Sequence, residues 1–164
     1  MQTSIAAEVL QLCREQGLTL AAAESCTGGL IAKELTDIPG ASQVFLGGVV
    51  SYTNHVKEQV LHVPAALLDR CGAVSAPVAR AMALGARVLT GADLAVSVTG
   101  LAGPDGDDWG NPVGTVFAAL AAPEGVFVRQ LLLGGDRAQI RALSAHHALD
   151  MARRYLTHQM TEGE

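Results

Sequence analysis

The residues with the clearest capacity for chemistry lie in two short tracts, Ala23-Glu24-Ser25-Cys26-Thr27-Gly28-Gly29 and Ser51-Tyr52-Thr53-Asn54-His55-Val56-Lys57. A serine hydroxyl is a poor nucleophile until a neighbouring base removes its proton. Ser25 stands where an apolar run, Leu18 to Ala23, gives way to a helical pattern from Leu30 to Leu35. At such a turn the first helical N–H groups lack intrahelical partners and can hold an anion or a developing oxyanion, and glycines let a ligand approach the backbone. The competing reading is that Ser25 or Thr27 simply caps the helix. Lys57 is the candidate base, because desolvation lowers a lysine pKa. It is one of two lysines beside nine arginines, and a guanidinium cannot serve as a base at all. Tyr52 precedes it at the expected end of a strand. His55 is a second candidate base, and Cys26 a second candidate nucleophile whose thiolate a helix N-terminus would favour.

Thr99-Gly100-Leu101-Ala102-Gly103-Pro104-Asp105-Gly106 forms a second glycine-rich loop. Its hydroxyl and approachable amides suit phosphate, ribose or carboxamide. Arg137 and Arg141, one helical turn apart, could receive an anionic group or could equally be solvated. There is no GxxxxGK tract, and no GxGxxG follows the first strand, so nucleoside triphosphatase and dinucleotide dehydrogenase readings lack support. The five histidines show no metal-ligand spacing: His146 and His147 are adjacent rather than four apart, and no metal or other cofactor is expected.

The elements that must position these groups belong to a chain of 164 residues, 49% hydrophobic, with net charge −5. That composition fits one compact domain, expected over residues 1–158, with 159–164 a disordered tail. With 11 basic against 16 acidic residues and no basic run, direct nucleic-acid binding is not expected. No apolar stretch reaches the length of a membrane span and no signal pattern opens the chain, so a cytoplasmic protein without membrane contact is expected. Cys13, Cys26 and Cys71, odd in number and widely spaced, fit reduced thiols. If the chain self-associates, a homodimer is the expected assembly, two-fold symmetry being commonest.

Periodicity and punctuation predict a helix from Ser4 to Gln16 stopped by Gly17, and a strand within Val44 to Tyr52. They predict a helix over His55 to Leu61 capped by Asn54, another helical turn beginning at Pro64, and a long helix from Ser75 to about Leu89 with serine as cap and proline in its first turn. A strand over Leu94 to Val98 follows, then a hairpin of Val113 to Ala121 and Val126 to Leu133, and a last helix from about Asp136 to Tyr155. Alternating helices and almost wholly apolar strands predict an α/β fold, a three-layer α/β/α sandwich around a mixed, largely parallel sheet. Ligands of such sheets bind beyond the carboxyl ends of the strands, which places Ser25, Tyr52 and Thr99 around one cleft.

Several tracts together resemble one family: Ala23-Glu24-Ser25-Cys26-Thr27-Gly28-Gly29-Leu30, Ser51-Tyr52-Thr53-Asn54 with Lys57, Gly72-Ala73-Val74-Ser75, Thr99 to Pro104, Pro112-Val113-Gly114-Thr115-Val116 and Gly135-Asp136-Arg137. In that order they are similar to the C-terminal domain of CinA-like competence-damage proteins, the nicotinamide mononucleotide (NMN) deamidase family. The resemblance implies hydrolysis of the NMN carboxamide to nicotinic acid mononucleotide and ammonia, in pyridine nucleotide salvage, without a cofactor. It implies Ser25 as nucleophile, activated by Lys57 directly or through Tyr52. It implies Asn54, Ser75, Thr99, Gly100, Gly103 and Arg137 as substrate-binding residues, with Arg137 on the phosphate; the amides around Thr27, Gly28 and Gly29 are the expected oxyanion donors. Ala76 stands where the family usually has an acidic residue, and Asp105 to Asn111 replaces a stretch richer in glycine and serine with a basic residue before the proline. Three acidic groups there would repel a phosphate. The alternative function is a nucleotide-binding or protein-interaction module without turnover, linked to competence or DNA-damage responses.

Overall fold

Ser4 sets the first boundary: its hydroxyl accepts from the Ala7 N–H to start α1 (Ile5–Gln16), and Gly17 ends that helix at φ 68°, in the left-handed region that favours glycine. The computed structural model describes residues 2–161. After α1 come β1 (Leu20–Glu24), α2 (Leu30–Thr36), a 3-10 turn (Ala41–Gln43), β2 (Phe45–Val50), α3 (Asn54–Leu61) and α4 (Ala65–Cys71). The second half holds α5 (Ala76–Thr90), β3 (Leu94–Gly100), β4 (Thr115–Ala122), β5 (Gly125–Leu132) and α6 (Arg137–Leu156).

The strands form one sheet in the order β2-β1-β3-β4-β5. The β2-β1 and β1-β3 pairs are parallel and the β3-β4 and β4-β5 pairs antiparallel, so the mixed sheet is parallel in one half and antiparallel in the other. Short side chains decide how closely the layers approach. In Leu20-Ala21-Ala22-Ala23-Glu24 every residue is buried. Leu20 and Ala22 join Val96, Val98, Ala118 and Leu120 in the core beneath α1, α2 and α6. Ala21, Ala23 and Ala95 face Val78, Met82 and Ala86 of α5. Helices therefore cover both faces, and the expected three-layer α/β/α architecture is present. Among the described residues, no helix is long and apolar enough to cross a membrane.

Three local expectations are corrected. The helix carrying Lys57 is capped by Thr53, whose hydroxyl accepts from the Val56 N–H, and Asn54 is its first residue. Both types cap well, so the sequence left a one-residue ambiguity. Ser75 precedes α5 but makes no side-chain cap; its hydroxyl donates 2.8 Å to Gly72 O. The strand expected to reach Tyr52 stops at Val50, because Ser51 turns inward, its N–H and hydroxyl both donating to Glu24 O. Beyond α6, the Gln159 N–H donates to Arg154 O and Met160 packs on the α1/α6 core; residues 162–164 of the expected tail lie outside the described residues.

α3 is held in place by a glycine. Gly85 on α5 meets the Leu61 carbonyl so closely that any Cβ there would overlap it, so the helix that carries Lys57 can settle against the core only over a residue without a side chain.

Candidate active site

Lys57 and Leu61, four residues apart, are the buried residues of α3. The lysine is thus presented on the face a core residue would occupy. It is 1% exposed. Its Nζ donates 2.7 Å to Ser51 O and lies 2.9 Å from Ser25 Oγ. Burial pushes the Lys57 pKa down from 10.5 to about 8, opposed only by the nearby Cys26 sulfur. A neutral amine in this position donates to Ser51 O and offers its lone pair to the Ser25 hydroxyl, which is the arrangement a general base needs.

The turn that carries Ser25 is fixed from two sides. The Ser25 N–H donates 3.0 Å to Val98 O, extending the β1-β3 ladder by one step. The side chain of Glu24, 1% exposed, turns forward onto the start of α2. Its Oε1 accepts from the Thr27 hydroxyl at 2.7 Å and from the N–H groups of Gly29 and Ile31, and its Oε2 from the Ala32 N–H. A carboxylate at a helix N-terminus satisfies orphan donors and complements the dipole. From α6, Arg141 donates to Cys26 O and Thr27 O, both at 3.0 Å. Glu24 also holds the base, because its own carbonyl anchors Ser51, whose carbonyl anchors Lys57.

This clamp was not legible in the sequence, and it changes the expected oxyanion site. The Gly28 N–H donates to Ser25 O and the Gly29 N–H to Glu24, so neither glycine is free for a substrate oxygen. Thr27 is fully buried, and Thr27, Gly28 and Gly29 do not border the cleft. Neither Ser25 nor Thr27 caps α2 through its side chain. Cys26 does border the cleft, and its N–H has no backbone acceptor among the described residues. Its thiol is pushed up to about 11 by burial, which keeps it protonated and leaves Ser25 as the better nucleophile.

The cleft above the pair has a volume of ≈ 350 Å³. Of the residues singled out from sequence, it gathers Ser25, Tyr52, Asn54, Lys57, Thr99, Gly100, Gly103 and Arg137 on its walls. Ser75 is not among them. Thr99 uses its hydroxyl on Ala73 O at 2.9 Å, so it braces the α4–α5 connection. Tyr52 is 58% exposed, and its hydroxyl accepts from Arg137 Nη2 at 3.2 Å. It makes no hydrogen bond to Ser25 or Lys57 among the described residues, so the relay through Tyr52 is not formed and the contact between base and nucleophile is direct. Arg137 also donates to Gly103 O at 2.6 Å, and no carboxylate among the described residues neutralises it. The two arginines that spacing left equivalent are thereby separated: Arg141 holds the turn and Arg137 faces the cleft. His55 is exposed on α3 and does not border the cleft.

A parallel-to-antiparallel α/β/α sandwich with a buried serine–lysine pair at the carboxyl ends of β1 and β2 defines the class of this molecule. The chain belongs to the family of the CinA C-terminal domain, whose family model matches residues 2–156. A CinA-like protein of Geobacter sulfurreducens is 57% identical over 148 residues, covering 90% of this chain and 36% of that protein. A CinA-like protein of Geotalea uraniireducens is 54% identical over 148 residues, 90% of this chain and 35% of that protein. The chain therefore spans about a third of the length of these curated relatives. Among solved structures, the competence damage-inducible protein A (ComA) of Klebsiella pneumoniae superposes with TM-score 0.92 at 33% identity, covering 95% of this chain and 97% of that one. The competence/damage inducible protein CihA of Agrobacterium tumefaciens gives TM-score 0.83 at 39% identity, covering 95% and 99%.

Proposed function

We propose that this chain is a metal-independent amidohydrolase that converts NMN to nicotinic acid mononucleotide and ammonia, serving pyridine nucleotide salvage. The observation that carries the reading is the 2.9 Å approach of a desolvated Lys57 amine to Ser25 Oγ. Neutral Lys57 takes the Ser25 proton as Oγ adds to the carboxamide carbon. The tetrahedral oxyanion meets the Cys26 N–H at the cleft wall. Lys57 then passes its proton to the departing nitrogen, ammonia leaves, and an acyl ester remains on Ser25. Water, deprotonated by the same amine, hydrolyses the ester and restores the hydroxyl. Arg137 supplies the charge for the phosphate, its guanidinium engaged among the described residues with the neutral oxygens of Gly103 and Tyr52. Asn54, Gly100 and Gly103 line the path between.

The test is ammonia and nicotinic acid mononucleotide release from NMN in the presence of EDTA, comparing the natural sequence with Ser25→Ala. Turnover lost in the variant supports the reading. Folded protein that binds NMN without releasing ammonia replaces it with the binding-module alternative.

A further inference from the structure

The cleft does not end at its own walls. A second cavity of ≈ 330 Å³ adjoins it and shares Asn54, Ala73, Val74 and Leu101 with it, so the two form one trough. Ligand pockets run from roughly 300 to 1,000 Å³; either cavity alone sits at the bottom of that range, and both together near its middle. The far end of the trough is formed by Gly106, Asp107, Asp108 and Trp109. Trp109, the single tryptophan of the chain, borders it and is 51% exposed. Its indole rests on Gly72 so closely that a Cβ there would overlap the ring.

The loop is built rather than slack. Asp107 Oδ1 accepts from the Trp109 and Asn111 N–H groups at 3.0 and 2.9 Å. Asp107 Oδ2 accepts from Asn111 Nδ2, which also reaches Val74 O. Asp107 is thus consumed in shaping the loop. Asp108, which also borders the cavity, is exposed and has no partner among the described residues. An aromatic face and an unpaired carboxylate at one end of a trough match a nucleoside: the base stacks on the ring, and the carboxylate accepts from the ribose hydroxyls. The same carboxylate repels a phosphate on that ribose.

Resting on the amidase reading for the first cavity, we propose that the second cavity is a nucleoside subsite. It lets the trough hold a pyridine dinucleotide with free ribose hydroxyls, carboxamide at Ser25 and second base against Trp109. The dinucleotide is then a ligand that competes with the mononucleotide.

The single tryptophan makes the test direct. Trp109 fluorescence is followed in Ser25→Ala, which suppresses turnover, during titration with NMN, NAD and NADP. NAD is expected to quench the signal and to bind about fivefold more tightly than NMN, the low end of what one base–aromatic stack contributes. NADP, with its additional phosphate on the second ribose, is expected to lose that advantage and to regain it in Asp108→Asn. By calorimetry, Trp109→Ala should bind NAD no better than NMN, Trp109→Phe should recover the difference, and neither change should alter NMN turnover in the protein with Ser25 intact. NAD binding no tighter than NMN, or an advantage that survives Trp109→Ala, overturns the subsite. Trp109-dependent NAD binding in a protein that releases no ammonia from NMN leaves the subsite standing and removes the amidase reading instead.

Discussion

The floor and the rim of the cleft are built on opposite terms. On the floor, Ser25 and Lys57 are 8% and 1% exposed, and the supports behind them are buried or half-buried hydrogen bonds: Glu24 on α2, Arg141 on the turn, Ser51 on the amine. On the rim, Tyr52, Asp105 and Arg137 are exposed. A reacting pair must be held near its productive geometry at all times, because small misplacements cost rate steeply. Groups that admit and recognise a ligand must stay accessible. Damage to the floor should therefore appear in kcat, and damage to the rim in KM.

The largest effect is expected from Ser25→Ala, with kcat falling by on the order of 10³ or more while NMN affinity holds; steady-state ammonia release and calorimetry together read the two quantities. Glu24→Gln comes next. It places an amide against donors that need an acceptor, which should lower stability by about 1–3 kcal/mol, visible in thermal melts. It should also lower kcat with KM near its original value, and Glu24→Asp should recover part of the loss. A change confined to stability, with kcat intact, would make Glu24 a structural residue only. Arg137→Ala removes a charge-assisted contact to phosphate and is expected to raise KM roughly tenfold with kcat little changed. The smallest effect belongs to Cys26→Ala, which should stay within about twofold of the original rate; its inactivation with survival of Ser25→Ala would transfer the chemistry to the thiol.

The same division separates what the sequence makes legible from what it hides. The rim and the reacting pair were legible because punctuation marks them: glycines after Ser25, Gly and Pro after Thr99, and a lysine following a strand end by a few residues. The fold was legible from alternating apolar strands and helices, and the hairpin at Ala122 to Gly125 accounts for the antiparallel β4-β5 pair. The supports were not legible. Nothing in Leu20 to Glu24 says that the last side chain of a buried strand turns forward to residues 27, 29, 31 and 32, although an acid just before a helix start is the one available hint. Arg137 and Arg141 carry identical spacing cues, and only the packing of α6 over the Ser25 turn gives them different work. A relay through Tyr52 was implied by the family resemblance alone, and a position at a strand end does not report which way a hydroxyl points.

The proposed mechanism rests on Lys57, its pKa lowered by burial, acting as the base for Ser25. Its pKa of about 8 means that protonation removes the base as pH falls, so kcat/KM should rise with pH and level off above about 8. The most direct measurement is the kcat/KM–pH profile for NMN deamidation of the natural protein beside folded Lys57→Arg. Because the guanidinium stays charged, the variant is expected to lose roughly 10²- to 10⁴-fold in rate and to show no inflection near 8. A Lys57→Arg protein that keeps the rate and the inflection, or a natural protein whose activity falls as pH rises from 6 to 8, would contradict it.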